Sequence, residues 1–197
     1  MTIDARRYPV THKAGNKDIT IRLMAPADKA GILAFARDLP EHDHLFLRRD
    51  ITQEDVVDDW VKEMATGEII TIVAEHQGAI VGYATIHRSL LRWTAHVAEL
   101  RVTVAESMRG GGLGRVLTQE AFANALASGI EKMVAQMTLD QKGAIATFEG
   151  LGFRPEALLR DQVKDRDGNK HDLLVLSHEV ATFEAQRAAY GVAQAFE

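Results

Sequence analysis

The chain contains no cysteine. That excludes disulfides, a thiolate metal site and a cysteine nucleophile, and it fits a reducing cytoplasm, the location expected here. No apolar run reaches membrane-spanning length, and the opening MTIDARRYPVTHKAGN has no signal-peptide core. Internal repeats and low-complexity linkers are absent too. Positive charge is not in excess: the formal net charge is −5. That argues against a nucleic-acid partner and mildly favours a cationic or amine-bearing small one. Tyrosine is scarce, with three in the chain, Tyr8, Tyr83 and Tyr190.

What remains is ordinary for a globular protein: 197 residues, 46% hydrophobic and 26% charged. That length suits one domain with a real core. Periodicity divides it into alternating elements. Residues 1–17 read as an irregular arm. Asp18 to Met24 alternates apolar and polar residues, as a strand does. Ala27 to Leu39 and Thr52 to Ala65 carry apolar residues at helical spacing, stopped by Pro40 and by Thr66-Gly67. Between them Glu41 to Arg49 is a charged loop. Strands are predicted over Ile69–His76, Ala79–His87, Trp93–Val104 and Lys132–Thr138. Helices are predicted over Gly112–Ala127 and Gly143–Gly150. Phe153–Lys164 and Lys170–Glu179 pair as a hairpin around Asp167-Gly168. A last helix is predicted over Ala181–Ala195. Trp60 and Trp93 read as core or pocket wall. The order implies an α/β (α+β layered) domain, a mixed sheet with helices on its faces.

One segment carries chemistry: the strand, glycine turn and helix from His96 to Phe122. The turn reads Arg109-Gly110-Gly111-Gly112-Leu113-Gly114. Glycines let backbone N–H groups crowd a ligand, and the following helix offers unpaired N–H groups and a positive dipole end. The pattern predicts an anion site suited to phosphate or pyrophosphate. A Walker A loop is excluded because no lysine follows Gly114, and the dinucleotide fingerprint is absent. The His42-Asp43-His44 cluster has spacing that suits one strand face, but no third ligand group accompanies it, so no metal is assigned.

These residues resemble the GCN5-related N-acetyltransferases over roughly residues 18–179. The family's acyl-CoA signature, Arg/Gln-x-x-Gly-x-Gly/Ala, is filled by Arg109, Gly112 and Gly114. Its second signature, Asn-x-x-Ala-x-x-Leu-Tyr-Glu-x-x-Gly-Phe, is matched by Gln141 to Phe153. The opening Ile21 to Asp28 looks like the family's first strand and helix start.

The resemblance implies a mostly antiparallel central sheet with helices on both faces, and acetyl-CoA as the acyl donor. The pyrophosphate would lie on the N–H groups of Gly110, Gly111, Gly112, Leu113, Gly114 and Arg115, with Arg109 and Arg115 adding charge. Pantetheine would run along Leu100, Val102, Thr103 and Val104, with Gln141 and Phe148 nearby. Glu99 would be the catalytic base that deprotonates the amine. Two positions depart from the family pattern: Phe148 replaces a tyrosine that donates a proton to the leaving thiolate, and Gln141 replaces an asparagine. The loop at residues 39–49 would line the acceptor pocket, with Glu41 and Asp43 attracting an ammonium.

The implied function is transfer of an acetyl group to a primary amine, with no metal and no membrane, and with a homodimer as the plausible assembly. Two alternatives stay open. One is a non-catalytic acyl-CoA sensor, suggested by Phe148; the other is an acetyltransferase acting on a protein N-terminus or lysine. The segment 180–197 would then be a helix packed on the domain or on a partner.

Overall fold

The computed structural model describes residues 8–89, 91–165 and 167–180. The described elements run β1 (Val10–Ala14), β2 (Lys17–Leu23), α1 (Lys29–Asp38), α2 (Glu54–Thr66), β3 (Ile69–His76), β4 (Ala79–Arg88) and β5 (Val97–Val104). They continue with α3 (Leu113–Ala127), β6 (Lys132–Thr138), α4 (Lys142–Gly150), β7 (Arg154–Lys164) and β8 (Lys170–Glu179). The strands form one sheet in the order β1-β2-β3-β4-β5-β6-β8-β7. Among the described strands only β5 and β6 pair in parallel, so the sheet is mixed and mostly antiparallel, as expected.

β3 and β4 lie inside the sheet, each flanked by a strand on both sides. From Ile69 to Ala74 β3 is buried at every position, which is why it reads as an apolar run with little alternation. Two cores form on the two faces. α1 and α2 cover one through Ile32, Phe35, Val57 and Trp60, against Val73 and Tyr83. α3 and α4 cover the other through Leu113, Leu117, Phe122 and Phe148. Each fully buried large side chain of that kind contributes about 1.5–3 kcal/mol relative to exposure.

Three expectations need correction. Within the supposed irregular arm, Val10–Ala14 form β1, joined to β2 across Gly15-Asn16 with Gly15 at φ 61°. The two-residue turn was the overlooked signal. Buried Glu120 on α3 ties β1 down: it accepts from the Tyr8 hydroxyl at 2.9 Å and pairs with His12 at 3.2 Å. The strand predicted from Trp93 begins only at Val97, because residues 92–96 form turns. Trp93 is therefore neither core nor pocket wall; it is 78% exposed. Trp60 is buried, and its indole N–H donates to Thr71. The helix predicted over Ala181–Ala195 lies outside the described residues.

Gly152 gives a stability prediction. It sits at φ 98°, and a Cβ there would lie 2.6 Å from Nε2 of His178. That ring is wedged against Phe122 and Phe153, with centroids at 5.0 and 5.5 Å, so it has little room to yield. Left-handed strain and overpacking act together. Gly152→Ala should lose about 3 kcal/mol of unfolding free energy in urea titration.

Candidate functional site

β5 and β6 pair only through Val97↔Lys132, Ala98↔Met133 and Glu99↔Val134. Beyond Glu99 the two strands part. β5 stays paired with β4 as far as Val104↔Gly82, and β6 stays paired with β8 as far as Thr138↔Leu173. The parting opens a wedge in the middle of the sheet. Backbone direction alternates along a strand. The His96 carbonyl faces β6, whereas the Ala105 N–H faces Val81 on β4. Leu100, Val102 and Val104 therefore turn their main-chain groups into the wedge, without a strand partner there. These residues include the stretch expected to hold pantetheine.

A cavity of about 740 Å³ fills the wedge and reaches the glycine turn. Gly110 and Gly112 adopt φ of 75° and 87°, conformations that glycine enters at low cost. α3 begins at the turn, and its first intrahelical bond runs from the Val116 N–H to the Gly112 carbonyl. The N–H groups of Leu113, Gly114 and Arg115 precede that bond and have no intrahelical acceptor. Gly110, Gly112, Leu113, Gly114 and Arg115 all line the cavity. Gly111 packs behind them: a Cβ there would meet the Ala14 carbonyl at 3.5 Å.

The remaining predicted residues fall as follows. Val102, Thr103, Val104 and Leu100 form the β5 wall. Arg109 lines the cavity, but its guanidinium is engaged by Asp43 and also donates to the Val104 carbonyl at 3.4 Å. Gln141 stands at the start of α4 without capping it, and its Oε1 accepts from the Thr138 N–H at 3.1 Å. Phe148 is buried edge-on against Phe153 with its ring centroid 4.8 Å away, and it borders the cavity. Glu99 is half-buried on the opposite face of β5 from Leu100. Its carboxylate lies 2.6 Å from Arg101 and 3.5 Å from Arg48. It does not line the cavity, but its cross-strand neighbour His87 does.

The loop before α2 lines the cavity through His42, Asp43, Leu47, Arg48 and Arg49, as expected, but its acids do not take the role expected of them. Glu41 is not on the cavity wall, and Asp43 is neutralised by Arg109. His42 pairs with Asp140 at 3.1 Å, and His44 contacts the Ala36 carbonyl at 3.0 Å. The residues that reach the cavity at its far end are Arg48 and Arg49, with Arg101, Thr85 and His87 from the sheet. Sequence reasoning passed over these wall residues. The alternation of Tyr83, Thr85 and His87 on β4 was the available signal; they share one face with Glu99, Arg101 and Thr103.

Burial, then the charges of Arg48, Arg101 and Arg49, push the His87 imidazole down to about 3. His87 is thus neutral at physiological pH, with Nε2 3.1 Å from Thr85 Oγ1. The linkage has a definite sign. Above pH 6.5 His87 is uncharged in both states and adds no pH dependence. Below it the unfolded chain binds a proton that the fold refuses, so stability falls as pH drops from 6.5 towards 3, by up to about 1.4 kcal/mol per unit from this group. Chemical unfolding across that window should show a shallower slope for His87→Gln than for the parent.

The wedge, glycine turn and helix N-terminus on one cavity have counterparts in known proteins. The crystal structure of an N-acetyltransferase from Staphylococcus aureus Mu50 superposes with a TM-score of 0.73 at 20% identity, covering 82% of this chain and 98% of that one. The structure of yncA from Salmonella typhimurium, with its cofactor acetyl-CoA, gives 0.71 at 23% identity, covering 82% and 94%. At such identities the likeness shows the fold. In sequence, the Bacillus subtilis (strain 168) protein named "Putative phosphinothricin acetyltransferase YwnH" is 32% identical over 84 residues. Those are 43% of this chain and 51% of that protein, so the match spans about half the relative's length. The family model for the acetyltransferase (GNAT) family matches residues 33–153, which contain the wedge strand, the glycine turn and α4. With most of its length under that model and the motif residues gathered on one cavity, the chain belongs to the GNAT acetyltransferase family.

Proposed function

We propose that this protein is an acetyl-CoA-dependent N-acetyltransferase acting on a primary amine. The observation that carries the reading is the continuity of one cavity. It joins the edge of β5 that β6 leaves beyond Glu99 to the glycine turn and the start of α3. This set fits coenzyme A chemically. Strand-edge amides match the pantetheine amides, and helix N–H groups match a pyrophosphate. Bound there, acetyl-CoA supplies a thioester carbonyl carbon to which the amine nitrogen bonds as the carbon–sulfur bond breaks, giving an amide and the CoA thiol.

The chain's own groups have four tasks in this reading. N–H groups of Gly110, Gly112, Leu113, Gly114 and Arg115 hold the diphosphate, with Gly111 packed behind them. Main-chain groups of Val102 and Val104 align the donor arm, and an N–H on that edge faces the oxygen on which charge develops. Glu99 takes the amine proton through water, since its carboxylate stands behind the cavity wall. Phe148 packs against the donor arm and leaves thiolate protonation to water. The reading also assigns the reaction to the cytoplasm, which the cysteine-free composition supports.

The test is release of CoA thiol from acetyl-CoA across a panel of small amines and short peptides. Amine-dependent release with mass-verified acetylated product supports the transferase. Tight CoA binding with no release from any amine supports the sensor reading that Phe148 motivates.

A further inference from the structure

The cavity has two chemically different ends. One is the glycine turn. The other lies at Arg101, three residues back along β5 from Val104, or about 10 Å at strand rise. There Arg48, Arg49 and Arg101 all reach the lining. Their carboxylate partners do not. Glu63 grips Arg49 through two bonds of 3.1 and 2.6 Å, and Glu99 lies beside Arg101 and Arg48, yet neither acid lines the cavity. The acids that hold the guanidiniums therefore stand off the wall that the arginines form. The lining carboxylates, Asp43 and Asp140, are engaged by Arg109 and His42 instead.

A second cavity of about 280 Å³ meets the first at Leu47, Arg48, Arg101, Gln136 and Met137. It continues to Gln162 and Val163 on β7 and has no acidic residue on its wall among the described residues. Arg48 and Arg101 thus stand where the two spaces join, on the side away from the glycine turn.

We propose that this arginine-lined junction binds the acceptor, and that the acceptor is a small amine bearing an oxyanion group, a carboxylate or phosphonate, close to its nucleophilic nitrogen. The proposal rests on the acetyltransferase reading and narrows its substrate class. Planar guanidiniums fixed by carboxylates match such an oxyanion in paired hydrogen bonds. Polycationic amines meet like charge on the same wall, and expelling water between them strengthens that repulsion. His87, which these arginines help keep neutral, adds no charge of its own and offers a hydrogen bond from the same wall.

The experiment has two arms, both on the full chain. In the first, calorimetry measures binding of α-amino acids, aminoalkyl phosphonates, the matching amino-acid carboxamides and spermidine to CoA-loaded protein. In the second, initial rates of CoA release are measured with the same compounds. Acids should exceed their carboxamides at least tenfold in affinity and in kcat/KM, with spermidine weakest. Arg48→Ala, at a half-exposed side chain, should raise the acid's KM about tenfold, reduce the preference for acid over carboxamide to the same extent, and leave acetyl-CoA binding unchanged. Arg101→Lys should do the same more mildly. Carboxamides or spermidine equal to or better than acids in the binding arm overturn the proposal. Acids that bind selectively but are not acetylated overturn the transferase reading and leave the anion site standing.

Discussion

Gly112→Val should weaken CoA binding by one to two orders of magnitude while leaving the protein folded. Gly112 holds φ 87° at the entry to α3, and a Cβ there would meet nothing within 4 Å. The cost is therefore conformational. A β-branched residue resists the left-handed region by more than the 1–2 kcal/mol typical of an L-residue. The exposed turn can relax by rotating residues 110–112, and that rotation turns their N–H groups away from the cavity. Calorimetry of CoA binding should register the loss; the unfolding midpoint should fall only modestly, because the turn carries few core contacts.

Gly114→Ala makes the matching comparison. Gly114 is inside α3, and its added Cβ would reach only Val104 Cγ2 at 3.9 Å. The fold should be unchanged or slightly more stable. A drop in CoA affinity at Gly114 would then report close approach of a ligand to bare backbone. If both variants keep full CoA affinity, the glycine turn is not the phosphate site.

Those two glycines illustrate how much of the site the sequence made legible. Turn glycines, a helix start and a strand lie contiguous in the chain, so local chemistry alone reveals them. The same holds for α3, whose inward Leu113, Leu117, Ala121 and Phe122 follow from periodicity and are buried. The wedge is different. Strand pairing from Val97 to Glu99 and its loss afterwards depend on where β6 is drawn, and β8 draws it through seven register pairs. No window of sequence contains that competition. The arginine wall is illegible for the same reason: Arg48 and Arg49 come from a loop, Arg101 from β5, and the acids that aim them from α2 and β5. The charged loop from Glu41 to Arg49 drew attention to its acids, because sequence shows charges without showing which are neutralised. Asp43 meets Arg109 across 66 positions, and that pairing moves the character of the pocket from acidic to basic.

Glu99→Gln should lower kcat by about 10²- to 10⁴-fold, the usual size of a general-base contribution, and should remove the limb of the pH–rate profile that reports the base. The neutral amide keeps the shape of the side chain but cannot take a proton from the amine. The geometry gives the same substitution a competing outcome. Glu99 is flanked by Arg101 and Arg48, so its charge also orients the wall proposed to hold the acceptor's oxyanion. Loss of that orientation alone would raise the acceptor KM and leave kcat and the pH profile nearly as they were. The two roles separate in one data set, taken at saturating acetyl-CoA across acceptor concentration and pH. A kcat effect with an altered profile assigns Glu99 to proton transfer. A KM effect with an intact profile makes it a positioning residue for Arg101 and Arg48, and the proton then leaves the amine through water. His87→Gln, directly opposite on β4, is the parallel control: an imidazole pushed down to about 3 takes no proton at neutral pH, so that variant should leave the pH profile as it was.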